Sequence, residues 1–382
     1  MQFQLCNPTD IRFGKGQIAA LTSLIPPDAR ILLLYGGGSI KQNGVHEQVM
    51  TALSGFDITE FGGVEVNPIY ETLQHAARLG RQKNIDFVLG VGGGSVIDAS
   101  KFLAVMIATG EEDPWDRLAA DGKDVVPLPN GAVLTLPATG SESNPTSVIS
   151  STGRHLKIPF QFQSARPRFA IMDPTTMQSL SRRQLENGVV DSFIHVLEQY
   201  LTLAVNAPVQ FGYSETLLSV LLEWGPILVE TRSEEACENV MWAANQALNG
   251  LIGAGVPQDW STHMIGHAIT ALYGIDHART LTMILPALLR YKKDAKLPML
   301  ARFARRVWKI EEADDRLAAE LAISKTEDFM RSMSCPVRIS DADIDMNVDA
   351  LIKHLADADQ TSLGESGDIR ADDVRSIVAM AA

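Results

Sequence analysis

Cysteine is scarce in this 382-residue sequence: Cys6, Cys237 and Cys335 are an odd number at wide spacing, with no CxxC pair. That excludes a disulfide framework and suits reduced thiols in a cytosol. No run approaches the roughly 18 consecutive apolar residues that a membrane helix needs. The opening MQFQLCNPTD has no basic segment leading into an apolar one, so no export leader is expected and the chain reads as cytoplasmic. Clusters of basic residues with interleaved aromatics are also missing. With 33 Lys and Arg against 46 Asp and Glu, the net charge is −13. Counterion release therefore has little to drive nucleic-acid binding. Neither a membrane nor a nucleic acid is expected as a partner, and an anionic ligand would have to be held by local backbone NH groups and helix ends.

What is present is an ordinary globular composition, 46% apolar and 21% charged, on a chain long enough for two domains. From Arg30 to about Asp173, apolar runs alternate with segments of helical period. These are RILLLYG, a helix over Lys41 to Leu53, a strand around Ile58, a helix over Pro68 to Gln82, FVLGVG, a helix over Ser95 to Ala108 and the strand AVLTLP. The pattern predicts a parallel sheet buried on both faces. After Ser181, an expected N-cap, helical periodicity covers Gln184 to Leu203, Val209 to Glu230, Glu234 to Leu248, Ser261 to Leu272 and Asp314 to Met333. Pro286, Pro298, Pro336 and the stretch Gly250 to Gly255 are read as separators. The expected organisation is an α/β dinucleotide-binding domain over residues 1–180 and an all-α domain over 181–382. The chain beyond about residue 341 gives no clear pattern.

Two strand ends deliver glycines into helix starts, YGGGSIKQNG from Tyr35 and VGGGSVIDASK from Val91. Such turns let backbone NH groups close on an oxyanion while the helix adds its positive end. A single one is as well explained by a tight turn needing positive φ. Two of them favour one extended ligand carrying phosphate at both places, although neither matches GxGxxG. In a dinucleotide site an acidic residue usually bonds the adenosine ribose and repels a 2′-phosphate. No carboxylate is found for that role here. Gly36, Gly37, Gly38, Ser39 and Lys41 offer NH groups, a hydroxyl and a cation, which favours NADP over NAD; the bland reading of Lys41 is a solvated residue.

In the helical half, GVVDSFIHVLEQY places Asp191 and His195 at i and i+4 among apolar residues. Alone, that pair is more often a hydrogen-bonded Asp and His than a metal site. DWSTHMIGHAITALYGIDHA then adds His263, His267 and His277. Three imidazoles so close in sequence, with a carboxylate and a fourth imidazole upstream, point to a divalent ion able to polarise a carbonyl and stabilise an alkoxide.

Together, GVGGGSVIDASK, LTLPATGSESN, PRFAIMDP, GVVDSFIHVLEQY and H-x3-H-x9-H resemble the iron-containing (group III) alcohol dehydrogenases, and within them the NADPH-dependent aldehyde reductase and butanol dehydrogenase branch. The resemblance implies a dehydroquinate synthase-like fold with a cleft between an α/β and a helical domain. It implies Asp191, His195, His263 and His277 as metal ligands, with His267 as a nearby histidine able to relay a proton. Gly93, Gly94, Ser95 and Asp98 would meet the pyrophosphate and nicotinamide side of NADP(H), with Gly37, Gly38, Ser39 and Lys41 at the first turn. Thr135, Thr139, Asn144 and Lys157 would add further cofactor contacts. Ser39 stands where many members carry an NAD-selecting Asp, and Ala278 stands where many carry Gly; both point to the NADPH branch and leave Fe2+ or Zn2+ open.

The implied activity is hydride transfer between NADP(H) and small aldehydes or primary alcohols, in a homodimer. The nearest rival is a non-redox lyase of the dehydroquinate synthase type, which would need a basic anion pocket in the helical half. A non-catalytic nucleotide- and metal-binding protein is the rival from another class.

Overall fold

A computed structural model describes residues 1–121 and 124–382. The chain divides into two compact units, one formed by Cys6–Leu180 and the other by Met1–Leu5 with Ser181–Ala382.

The first unit is built on β1 (Asp10–Phe13), β2 (Arg30–Tyr35), β3 (Asp57–Phe61), β4 (Phe87–Gly93), β5 (Asn130–Leu136) and β8 (Phe169–Met172), with β6 (Thr146–Ser151) and β7 (Leu156–Gln161) forming a separate hairpin. The six strands make one parallel sheet in the order β1-β8-β5-β4-β2-β3. Its helices are α1 (Leu21–Leu24), α2 (Ser39–Gln42), α3 (Val45–Ala52), α4 (Tyr70–Gln82), α5 (Gly94–Thr109) and α6 (Trp115–Asp121). Alternate residues of β2 serve opposite layers: Leu32 and Leu34 pack with Leu73, Phe102 and Leu103, whereas Ile31 and Leu33 pack with Leu21, Val45 and Val49. Burial of both faces explains why β2 reads as an unbroken apolar run. The order reverses at β2, which lies between β3 and β4, so both glycine turns leave the carboxyl ends of adjacent strands.

Two sequence expectations change in this unit. The β6–β7 hairpin was not foreseen, because its strands carry Ser, Thr and Lys between apolar residues and turn through Thr152–His155, with His155 at positive φ. The helix expected over Lys41 to Leu53 is instead two, α2 and α3, divided at Asn43–Gly44, where Gly44 has φ 81°. The edge strand β1 pairs in parallel with β8.

The second unit holds α7 (Arg182–Tyr200), α8 (Pro208–Thr231), α9 (Glu234–Ala247), α10 (Ser261–Tyr273), α11 (His277–Tyr291), α12 (Leu297–Arg306), α13 (Asp315–Ser332), α14 (Val348–Asp357) and α15 (Ala371–Ala381). Ser181 caps α7 through a reciprocal capping box with Gln184. Pro286 does not separate helices: it lies inside α11, whose surrounding residues are buried. Packing there outweighs the one helical hydrogen bond a proline removes. Pro298 instead opens α12 in the first-turn position where its missing NH costs nothing. The tail beyond residue 341 folds as α14 and α15 against α10 and α11, through Leu351, Leu355, Ile377 and Val378. Among the described residues no helix is long and apolar enough to cross a membrane.

Candidate functional site

α7 carries Asp191 and His195 on one face, α10 carries His263 and His267 in its first two turns, and α11 begins at His277. These three helices bring three imidazoles around Asp191. Asp191 Oδ1 lies 3.8 Å from each of His195 Nδ1, His263 Nε2 and His277 Nε2. Ligands bound at 2.0–2.2 Å in a tetrahedron stand about 3.4 Å apart, so each of the three separations from Asp191 Oδ1 is within a few tenths of an ångström of what a shared ion needs. Asp191, His195 and His263 form a buried group able to hold a metal. Asp191 Oδ1 and His263 Nε2 are buried and make no hydrogen bond. Two such atoms facing each other are costly in a core, and a shared cation would satisfy both. His267 stands beside this group, its ring 4.8 Å from that of His277 and 6.1 Å from that of His263.

In the α/β unit, the turn after β4 is a tight fit to bare backbone. A Cβ on Gly94 would fall 2.4 Å from Thr139 Oγ1, and one on Gly92 would fall 2.6 Å from Val96. Around this turn the structure gathers Gly93, Gly94, Ser95, Asp98, Thr139, Asn144 and Lys157. Ser95 Oγ accepts from Asn67 N, and Lys157 Nζ donates to Asn67 Oδ1 at 2.7 Å. Two of the group are committed to the protein. Asp98 accepts from Ser141 Oγ and from Val148 N at 2.8 Å, and Asn144 accepts from Lys101 Nζ and Thr146 N while donating to Thr139 O. Burial raises the Asp98 carboxyl, although Lys101 beside it pulls the other way. Asp98 therefore clamps α5 to the hairpin. Thr135 is buried near the end of β5. Gly37, Gly38, Ser39 and Lys41 sit at the neighbouring turn after β2, where Gly38 has φ 94°.

Comparison with known proteins accounts for both halves. The description "Iron-containing alcohol dehydrogenase" matches residues 8–174, and "Fe-containing alcohol dehydrogenase family, C-terminal" matches residues 186–382. The chain belongs to the iron-containing alcohol dehydrogenase family. The NADPH-dependent aldehyde reductase YqhD of Escherichia coli is 48% identical over 98% of each chain. Its crystal structure superposes with a TM-score of 0.98, covering 100% of this chain and 99% of that one. A probable NADH-dependent butanol dehydrogenase of Bacillus subtilis is 36% identical over 98% of each chain.

Within this family member, two carboxylates escaped the sequence reading. Glu198, one turn beyond His195 and buried, accepts from Thr262 N at 2.6 Å and makes a short contact with His263 Nδ1. That contact directs Nε2 of His263 toward Asp191. Burial alone would lower the His263 imidazole, but Glu198, with Asp191, outweighs it and lifts the group to about 9. A carboxylate seven residues after Asp191 in an apolar helix was the available signal. The second is Glu60, near the end of β3, which binds both Lys41 and His46. Replacing Glu198 with Gln keeps the shape but loses the charge behind His263. Retained metal should weaken by about 10–100-fold, measured by competition with a chelator; unchanged affinity would mean that Glu198 merely caps α10.

Proposed function

We propose that this chain is a metal-dependent, NADPH-linked aldehyde reductase that also oxidises primary alcohols in the reverse direction. The observation that carries the reading is the convergence of His195, His263 and His277 around Asp191, with Asp191 Oδ1 and His263 Nε2 buried and unbonded. The name of the 48% identical relative supports NADPH and aldehydes. In this reading the four side chains hold a divalent ion. When bound, such an ion supplies a Lewis acid for a carbonyl oxygen, and a reduced nicotinamide supplies hydride. A carboxylate and three imidazoles accept iron or zinc alike; iron is the family's own metal.

The chain's own residues do the rest. Asp191 offsets half of a dication's charge, and Glu198 fixes the His263 ring. His267, beside His277 and largely buried, is the group placed to pass a proton to the product oxygen through its imidazole nitrogens. The glycine turns after β2 and β4 offer backbone NH groups to the diphosphate. A lyase of the dehydroquinate synthase type would need free cationic groups near the imidazoles. Arg183 and Arg279, on the helices that carry Asp191 and His277, are tied to Asp276 and Glu186. A cytoplasmic homodimer belongs to the same reading.

The test is consumption of NADPH by the metal-loaded protein with a simple aliphatic aldehyde, followed by absorbance. Turnover that disappears on chelation and returns with iron or zinc is expected. NADPH that stays intact across a panel of aldehydes would refute the reading.

A further inference from the structure

We infer that His46, together with Lys41, forms the seat for the 2′-phosphate of NADP(H), and that Glu60 holds the two basic side chains in place for it. The inference rests on the NADP-linked reading above and assigns the specificity of that same site.

The place follows from topology. Strand order reverses at β2, and in parallel α/β sheets a nucleotide lies outside the carboxyl ends of the strands at such a point. The strand beside the first glycine turn then meets the adenosine ribose near its end. In this chain that strand is β3, and Glu60 stands one residue before its end. A carboxylate at that position bonds the 2′- hydroxyl of NAD and repels the phosphate of NADP. Glu60 is not free to do so. Its Oε2 takes Lys41 Nζ at 3.2 Å and His46 Nε2 at 3.1 Å, so one oxygen holds two basic groups from different segments.

The cluster is fixed from below by Tyr35. Lys41 Nζ lies 4.7 Å from the Tyr35 ring centroid, and the His46 ring meets the same ring edge-on at 6.1 Å. The Tyr35 ring in turn packs against Gly62, where any Cβ would fall 2.3 Å from the ring, and Gly63 N donates to Gly36 O at 3.0 Å. The first turn, the end of β3 and the basic pair are therefore one preformed piece. The side chains remain reachable, at 46% exposure for Lys41 and 21% for His46. An ammonium has three donors, and its bond to Glu60 uses one, so Lys41 can bond carboxylate and phosphate together. On a chain of net charge −13, such a local basic pair is what a phosphate dianion requires.

The experiment titrates NADPH and NADH separately against metal-loaded protein, using nicotinamide fluorescence as the binding readout. His46→Leu and Lys41→Met are each expected to weaken NADPH about tenfold, the worth of one charge-assisted hydrogen bond, and to leave NADH within about twofold. NADPH affinity should also lose part of its salt dependence. Both side chains are exposed enough that the variants should melt with the parent. If His46→Leu alters NADPH and NADH equally, or neither, the assignment of His46 falls while the aldehyde-reductase reading stands. If the parent itself binds NADPH no tighter than NADH, the NADP-linked reading fails first.

Discussion

Replacing His263 with Ala should remove the metal and abolish turnover while leaving NADPH binding nearly intact. The His263 imidazole serves two carboxylates at once: Nε2 faces Asp191 Oδ1 at 3.8 Å, and Nδ1 meets Glu198. Truncation leaves Asp191 without one of its neighbours and Glu198 with only Thr262 N to bond. Losing a direct ligand must cost more than losing an outer partner, so metal affinity should fall by at least about a hundredfold, and the carbonyl polarisation with it. The glycine turns belong to the other compact unit, Cys6–Leu180. NADPH affinity, read by fluorescence on the same preparation, should therefore change by less than about twofold. Metal analysis after dialysis gives the other arm. A variant that keeps its metal would remove His263 from the ligand set. Loss of metal and NADPH binding together would mean the two functions are not separable as proposed.

The parts of this fold that were readable from sequence are those where one local rule decides. β2 and β4 are buried on both faces and read as unbroken apolar runs, and α7 announces its start through Ser181 and Gln184. The histidines of α10 and α11 stand out because imidazole is rare in apolar helices. What stayed hidden depends on pairing across distance. Glu198 gains its partners only when α10 places His263 and Thr262 against it. Glu60 and His46 carry no local signal, because the contact between them exists only once β3 lies beside β2. Pro286 misled because propensity was read without packing, and α11 is held by its buried sides. Trp260 has a left-handed φ of 62° immediately ahead of α10, a conformation that no sequence rule assigns to tryptophan.

Replacing Lys296 with Met should cost more stability than any surface change in this chain, and should loosen the metal as well. Lys296 is 1% exposed, and its Nζ donates at 2.7 Å to Leu201 O, at 2.8 Å to Glu365 Oε1 and at 2.9 Å to Asp259 Oδ2. All three ammonium protons are used. Methionine fills nearly the same volume but leaves two buried carboxylates without a cation, which costs about 3–5 kcal/mol. At roughly 2–4 °C per kcal/mol for a unit of this size, the melting transition should drop by about 10 °C. Burial alone would lower the Lys296 ammonium, but Asp259 and then Glu365 outweigh it and raise it above its ordinary 10.5. A raised amine stabilises fully below its unfolded value and loses that contribution only as pH rises through the folded value, so the deficit of the variant should hold constant from neutral to moderately alkaline pH. The consequence for the metal runs through Asp259, whose Oδ1 accepts from Ser261 N at 3.0 Å and from Ser261 Oγ at the first turn of α10, two residues before His263. With its cation gone, Asp259 no longer anchors that turn, and chelator competition should show weaker metal binding alongside the lower melting point. Lys296→Met combined with Glu365→Leu should recover part of the stability, because an apolar pair replaces one of the stranded charges. A single variant that melts within about 2 °C of the parent would show that water reaches the carboxylates and that the buried triad does not hold α10 in place.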